Sequence, residues 1–202
     1  VLEIIKKNKF FSIANMLWRK PGIFDMQAFA ELFQRHFPHD RFEKLNIPLH
    51  VAVTDINKGE TLYFSSGELI KILIASSCLP IIFEPVKHNG LTLVDGGLTN
   101  NLPVELLKDK CDHVIGVNVN PISHHQKKEL HLRDLIDRSF HLAMASTLRA
   151  KAVLCDLFIE PPGLDQYGIF DVKHADDIYR RGYEHTMSMK ERIVQFVYSL
   201  SK

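Results

Sequence analysis

The chain runs Leu91-Thr92-Leu93-Val94-Asp95-Gly96-Gly97-Leu98-Thr99-Asn100-Asn101-Leu102-Pro103-Val104 near its middle. Leu91 to Val94 is a short apolar run entered from the turn pair Asn89-Gly90, and it reads as a buried strand. Asp95 sits at the strand's C-terminal lip. Two residues without side chains follow it, so the backbone can fold back closely and present the acid to something nearby. Further on, Pro103 and Glu105 fit the first turn of a helix.

Outward from this stretch, helical and strand patterns alternate. Met26, Phe29, Phe33 and Phe37 fall on one helical stripe, with Asp25 as its expected N-cap. Leu49, Val51 and Val53 alternate with His50, Ala52 and Thr54 as a strand. Asn57-Lys58-Gly59 turns the chain into a return strand, Thr61 to Phe64. Ser65-Ser66-Gly67-Glu68 has capping-box spacing, and the helix it opens is apolar almost all round, from Leu69 to Ala75, so it must be buried. Pro80 stops its continuation. Val114 to Val119 is apolar enough to be a central strand. Leu132 to Leu148 traces a long amphipathic helix, Leu157 to Ile159 a short strand, and Ile178 to Leu200 one face of a closing helix. This alternation predicts an α/β fold, a three-layer sandwich around a mostly parallel central sheet, with residues 1–202 forming part of a single domain.

Composition narrows the function classes. The 202 residues are 46% hydrophobic, enough for a sizeable core, and 25 basic against 24 acidic residues give a formal charge of +1. No overall field recruits nucleic acid or an anionic membrane. Lys6, Lys7, Lys9, Arg19 and Lys20 lie among Phe10, Phe11, Leu17 and Trp18; a solvated helix face accounts for them, and a basic aromatic lip touching lipid headgroups is the sharper reading. Cys78, Cys111 and Cys155 are odd in number and widely spaced. They read as reduced core residues, in keeping with a cytoplasmic location. His36 with His39 and His124-His125 lack an acid or cysteine at ligand spacing, and no paired-carboxylate arrangement emerges from Glu43, Asp55, Glu60 and Asp112. No metal or cofactor is implied.

The Asp95-Gly96-Gly97 string and its continuation to Val104 closely resemble the aspartate motif of the patatin-like phospholipases, serine lipid acyl hydrolases with a Ser-Asp dyad. Asp-Gly-Gly alone is a weak signal. Around it, Ala75-Ser76 with Pro80 resembles the family's A-S-x-x-x-P element, Pro85-Val86 leads to Asn89-Gly90 as in the family, and Val51 to Asp55 with Gly59-Glu60 resembles its preceding hairpin. Gly182-Tyr183 resembles a feature of its closing helix. The resemblance covers roughly residues 47 to 190 and implies that Asp95 is the catalytic base, with Gly96 and Gly97 as motif support. The substrate implied is an acyl lipid or phospholipid, with peripheral membrane contact.

The matching serine is not in the chain. A nucleophile elbow needs G-x-S-x-G, because its strained turn leaves room only for glycine beside the serine. No two of the ten glycines are four apart, and no glycine cluster offers the successive N–H groups of an oxyanion hole. Val1 is not a methionine, and the helical pattern it opens has no cap. The expectation is a chain cut from a longer protein, with elbow and glycine loop upstream of Val1, inactive alone. Its rival is a non-catalytic module retained for binding lipid or a protein partner. Ser76 and Ser77 lack flanking glycines and lie at a helix end, where hydroxyls bond local carbonyls. Asn100 and Asn101 are expected to cap the next helix, and their position beside Asp95 allows them a role in fixing its carboxylate rotamer.

Overall fold

Two tight turns decide how the strands pair. Asn89 and Gly90 both take positive φ, 48° and 79°, the left-handed pair of a two-residue hairpin. They join β3 (Val86–His88) to β4 (Leu91–Asp95), which pair antiparallel with His88 opposite Leu91. Gly59, at φ 69°, closes the loop between β1 (Val51–Asp55) and β2 (Glu60–Phe64), also antiparallel, from Val51 opposite Phe64 to Asp55 opposite Glu60. β1 and β4 then join the two hairpins, Val53 facing Asp95, to give a four-stranded sheet in the order β2-β1-β4-β3. The molecule is described by a computed structural model, over residues 26–80, 82–122, 132–146, 148–168 and 171–200.

This sheet is antiparallel throughout, which corrects the expectation of a mostly parallel one. Parallel neighbours need a crossover of a dozen or more residues; the links β1–β2 and β3–β4 are far shorter. Parallel pairing occurs between β5 (Ile115–Val117) and β6 (Leu157–Ile159), with Gly116 opposite Phe158. The chain divides into two compact units, one ending at Asn101 and the other beginning at Leu102.

In the first unit, α1 (Gln27–His36) presents the expected stripe: Met26 is buried, Phe29, Phe33 and Phe37 are partly so, and Glu31, Gln34 and Arg35 are exposed. Phe29 meets Phe83 edge-on at 6.2 Å between ring centroids. The apolar helix α2 (Leu69–Ser76) lies on the sheet, where Leu69, Ile72 and Ala75 pack with Phe42, Val51, Val53 and Leu93. Each large aliphatic side chain in this core stabilises the fold by about 1.5–3 kcal/mol.

The start of α2 departs from expectation. Its N-cap, Glu68, makes no side-chain cap bond, so the Ser65-to-Glu68 capping box does not form. Asp40, nearly thirty residues earlier, does the work: its Oδ1 accepts from Ile70 N at 2.7 Å and its carbonyl from Leu69 N at 3.4 Å. Asp40 itself has φ 41°, a left-handed conformation that a short polar residue tolerates.

In the second unit, α3 (Glu105–Lys108), α4 (Leu132–Ala145), α5 (Leu148–Ala152), α6 (Ala175–Ser188) and α7 (Lys190–Ser199) accompany β5 and β6. Leu102, Val104, Val114 and Leu148 form its core cluster. β5 is not the central strand expected: Ile115, Val117 and Val119 are 50%, 53% and 58% exposed, and among the described residues only β6 pairs with it. The closing helix is two helices broken at Met189, whose N–H is shared between His185 O and Thr186 O. No helix of the described residues is long and apolar enough to cross a membrane. The basic, aromatic residues 6–20, the Asp25 cap and His124-His125 lie outside the described residues.

Candidate active site

β4 delivers Asp95. Leu93 and Val94 are fully buried, as expected of a strand flanked on both sides by β1 and β3. Asp95 is half-buried at its end. There the ladder stops, and the Asp95 N–H leaves the sheet to donate to Cys78 O at 2.9 Å, just beyond α2. The Asp95 carbonyl accepts from Thr54 Oγ1 at 2.9 Å.

Past Asp95 the chain tightens into a 3-10 turn, Gly96–Leu98, for which Asp95 is the N-cap: Gly97 N donates to its Oδ1 at 2.7 Å. Gly96 lies so close to β1 that a Cβ there would stand 2.2 Å from Ala52 O. Only glycine fits. The two glycines therefore divide the work, Gly96 by allowing close approach and Gly97 by supplying an N–H to the carboxylate. Among the described residues, no donor reaches the second carboxylate oxygen, Oδ2.

Burial pushes the Asp95 carboxyl above its ordinary value, and the Gly97 N–H partly offsets that by favouring the anion. Cys78 is its titratable neighbour. Burial raises that thiol to about 11, with the nearby charges of Asp95 and Glu84 adding to the effect. A thiol so far above neutrality is not a nucleophile; its S–H donates to Glu84 O.

The motif serines have other duties. Ser76 Oγ donates to Ala52 O at 2.8 Å, the same carbonyl against which Gly96 packs, and Ser77 Oγ donates back to Leu73 O at 3.0 Å. Both hydroxyls are committed to the backbone. Asn100 does not cap a helix. Its backbone N–H, like that of Thr99, donates to Gly96 O, and its Nδ2 donates to Tyr63 Oη at 2.7 Å. α3 begins only at Glu105, after an N-cap at Val104 that makes no side-chain bond.

Three threonines not singled out in the sequence adjoin the site: Thr54 on β1, Thr61 on β2 and Thr99 after the 3-10 turn. Thr54 Oγ1 and Thr61 Oγ1 each lie 2.8 Å from Thr99 Oγ1. Register alone places Thr54 opposite Thr61, so that pair was legible; Thr99 was not. Elsewhere, Asp55 caps its own turn through Asn57 N, and Glu43 accepts from Gly67 N beside Arg41. Among the described residues, no three His, Cys, Asp or Glu side chains gather as metal ligands do.

The sequence pattern of the patatin-like phospholipases matches residues 2–108, a span that includes the sheet, α2 and Asp95. An uncharacterised protein of Acanthamoeba polyphaga mimivirus is 28% identical over 127 residues, 57% of this chain and 42% of that protein. The lysophospholipase NTE1 of Kluyveromyces lactis is 24% identical over 200 residues, 86% of this chain and 14% of that protein. That of Aspergillus niger is 25% identical over 183 residues, 78% and 12%. The chain thus spans less than half the length of each of these relatives.

Proposed function

We propose that this chain, which belongs to the patatin-like phospholipase family, supplies the proton-accepting half of a Ser-Asp dyad that hydrolyses acyl esters of phospholipids or related lipids, with Asp95 as the base. One observation carries the reading: Asp95 stands half-buried at a strand end, its main chain fixed by Cys78 O and Thr54 Oγ1 and its carboxylate by Gly97 N, with the second carboxylate oxygen met by no donor among the described residues. The names of the fungal relatives support a lysophospholipid or phospholipid as substrate. In this reading the serine and the oxyanion donors come from polypeptide outside this chain.

The chemistry follows from the open oxygen. As the serine Oγ attacks the ester carbonyl carbon, its proton passes to Asp95 Oδ2, and the new C–O bond gives a tetrahedral oxyanion. The ester C–O bond then breaks and the proton passes to the departing alkoxide, leaving an acyl-serine. Water attacks this in turn, giving its proton to Asp95, which returns it to the serine as the fatty acid leaves. A carboxylate of ordinary pKa is a weak base for an alcohol, and its partial burial narrows that gap. The reading places the reaction at a membrane surface facing a reducing, cytoplasmic compartment, which the free thiols suit.

The test is assembly. The 202-residue chain is assayed alone with p-nitrophenyl butyrate and with lysophosphatidylcholine, then again with a family segment carrying G-x-S-x-G fused upstream of Val1. No turnover is expected from the chain alone. The fusion is expected to hydrolyse both substrates, and Asp95→Asn within it to lower kcat by about 10²–10⁴. Equal turnover by the isolated chain, or an Asp95→Asn fusion of undiminished kcat, overturns the proposal.

A further inference from the structure

The threonine cluster has a direction. A hydroxyl carries one proton, and Thr54 uses its own on the Asp95 carbonyl. In the 2.8 Å contact between Thr54 and Thr99, Thr99 is therefore the donor. Its proton being committed, Thr99 accepts from Thr61, as the 2.8 Å bond from Thr61 Oγ1 requires. The hydroxyls run head to tail, Thr61 to Thr99 to Thr54 to the Asp95 carbonyl, and successive donors in such a chain polarise one another.

We propose that Thr61, Thr99 and Thr54 form a one-directional hydrogen-bond chain that positions Asp95, pinning its main-chain carbonyl so that the open carboxylate oxygen keeps a single direction. Valine would suit the two strand positions, 54 and 61, equally well. The hydroxyls matter because they come from three separate elements and end on one atom. Thr54, the link that touches Asp95, is fully buried, so water cannot replace what it supplies. The chain also ties together both ends of the 3-10 turn: Thr54 holds Asp95 before Gly96-Gly97, and Thr99 lies after it. With the turn clamped, Gly97 N stays on Oδ1, and Oδ2 is left for an incoming proton. The threonines act through Asp95 and touch no substrate.

This proposal rests on the acyl-hydrolase reading only for its catalytic consequence, and its main test needs no activity. The 202-residue chain is labelled with ¹⁵N and with ¹³C at aspartate carboxyls, and two quantities are followed by NMR against pH: the Asp95 titration midpoint, and the shift of the Gly97 amide that tracks it. The Cys78 thiol, raised to about 11, stays protonated throughout the acid range scanned. Thr54→Val and Thr99→Val are expected to cut the Gly97 tracking shift by more than half and to lower the Asp95 midpoint toward that of a solvated carboxylate. Thr54→Ser and Thr99→Ser are expected to restore both. Thr61→Val, at the partly exposed head of the chain, is expected to change both in the same sense by less, and it decides the matter if Thr54→Val does not fold. Folded valine variants with unaltered midpoint and tracking overturn the proposal, as do serine variants that restore neither. In the active fusion, Thr99→Val is expected to lower kcat at least about tenfold with KM unchanged. NMR changes without any activity in the fusion would refute the hydrolase reading and leave the positioning chain standing.

Discussion

Gly96→Ala asks whether the loop after Asp95 lies on β1 as tightly as described. The added Cβ would stand 2.2 Å from Ala52 O, 2.5 Å from Ala52 C and 3.0 Å from Val53 N. All three are backbone atoms of a strand paired on both sides, so no rotamer change relieves the overlap. Ordinary contact begins at 3.4 Å, and loop and strand must separate by about 1.2 Å in an interior that packs like a crystal. Such a movement stretches the bonds Thr54 Oγ1 to Asp95 O and Ser76 Oγ to Ala52 O, now 2.9 and 2.8 Å. Overpacking costs about 1–3 kcal/mol, and each weakened hydrogen bond about 1 kcal/mol more. The total, about 3–5 kcal/mol, is a large share of the 5–15 kcal/mol that stabilises a typical domain. Urea unfolding followed by circular dichroism measures it, with Gly90→Ala as control. At Gly90 nothing lies within 4 Å, and only the left-handed φ penalises alanine, by about 1–2 kcal/mol. A Gly96→Ala cost at or below that of Gly90→Ala would show that loop and strand are not in contact.

Other outcomes follow from the same geometry. Asp40→Ala removes the acceptor of Ile70 N and is expected to cost about 1 kcal/mol in urea unfolding, within the 0.5–2 kcal/mol range of lost caps, whereas Asp40→Asn retains most of the stability; equal losses would dismiss the cap. Because burial raises the Asp95 carboxyl above its ordinary 3.8, the native state binds more protons than the unfolded one between those values. Stability then falls as pH rises from the unfolded value through the folded one, and stays lower above it. Asp95→Asn is expected to flatten that stretch of a melting-temperature profile and to melt above the wild type at neutral pH; parallel profiles would contradict the raised carboxyl. In the elbow-bearing fusion, Ser76→Ala is expected to keep kcat within about threefold while lowering stability by about 1 kcal/mol through the lost bond to Ala52 O. A loss of activity comparable to that of Asp95→Asn would make Ser76 more than a strut.

What could be seen in the sequence was local. Asn89-Gly90, Asn57-Lys58-Gly59, the α1 stripe and the apolar α2 all depend on neighbours within a turn or two, and each took the form its pattern dictates. The place of Asp95 at a strand end was recognisable because its glycines adjoin it. The misread caps and the overlooked threonines share one cause, the reach of distant groups. Ser65 and Glu68 had capping-box spacing, yet it is Asp40, from thirty residues before Ile70, that accepts from the start of α2. Asn100 was positioned to cap a helix but is drawn to Tyr63 on β2. Thr99 meets Thr54 and Thr61 across 45 and 38 residues, a convergence no periodicity announces. The parallel sheet was inferred from helices alternating with apolar runs, although the short turns between those runs already required antiparallel neighbours.

β5 carries a practical consequence. Ile115 and Val117 on the strand, with Val119 just past its end, form an exposed row of β-branched side chains, and the strand pairs, among the described residues, on one edge only. Such an edge is a template for another backbone. In concentrated solution the chain is expected to stick to itself there, and Val117→Lys is the change that should keep NMR samples clear.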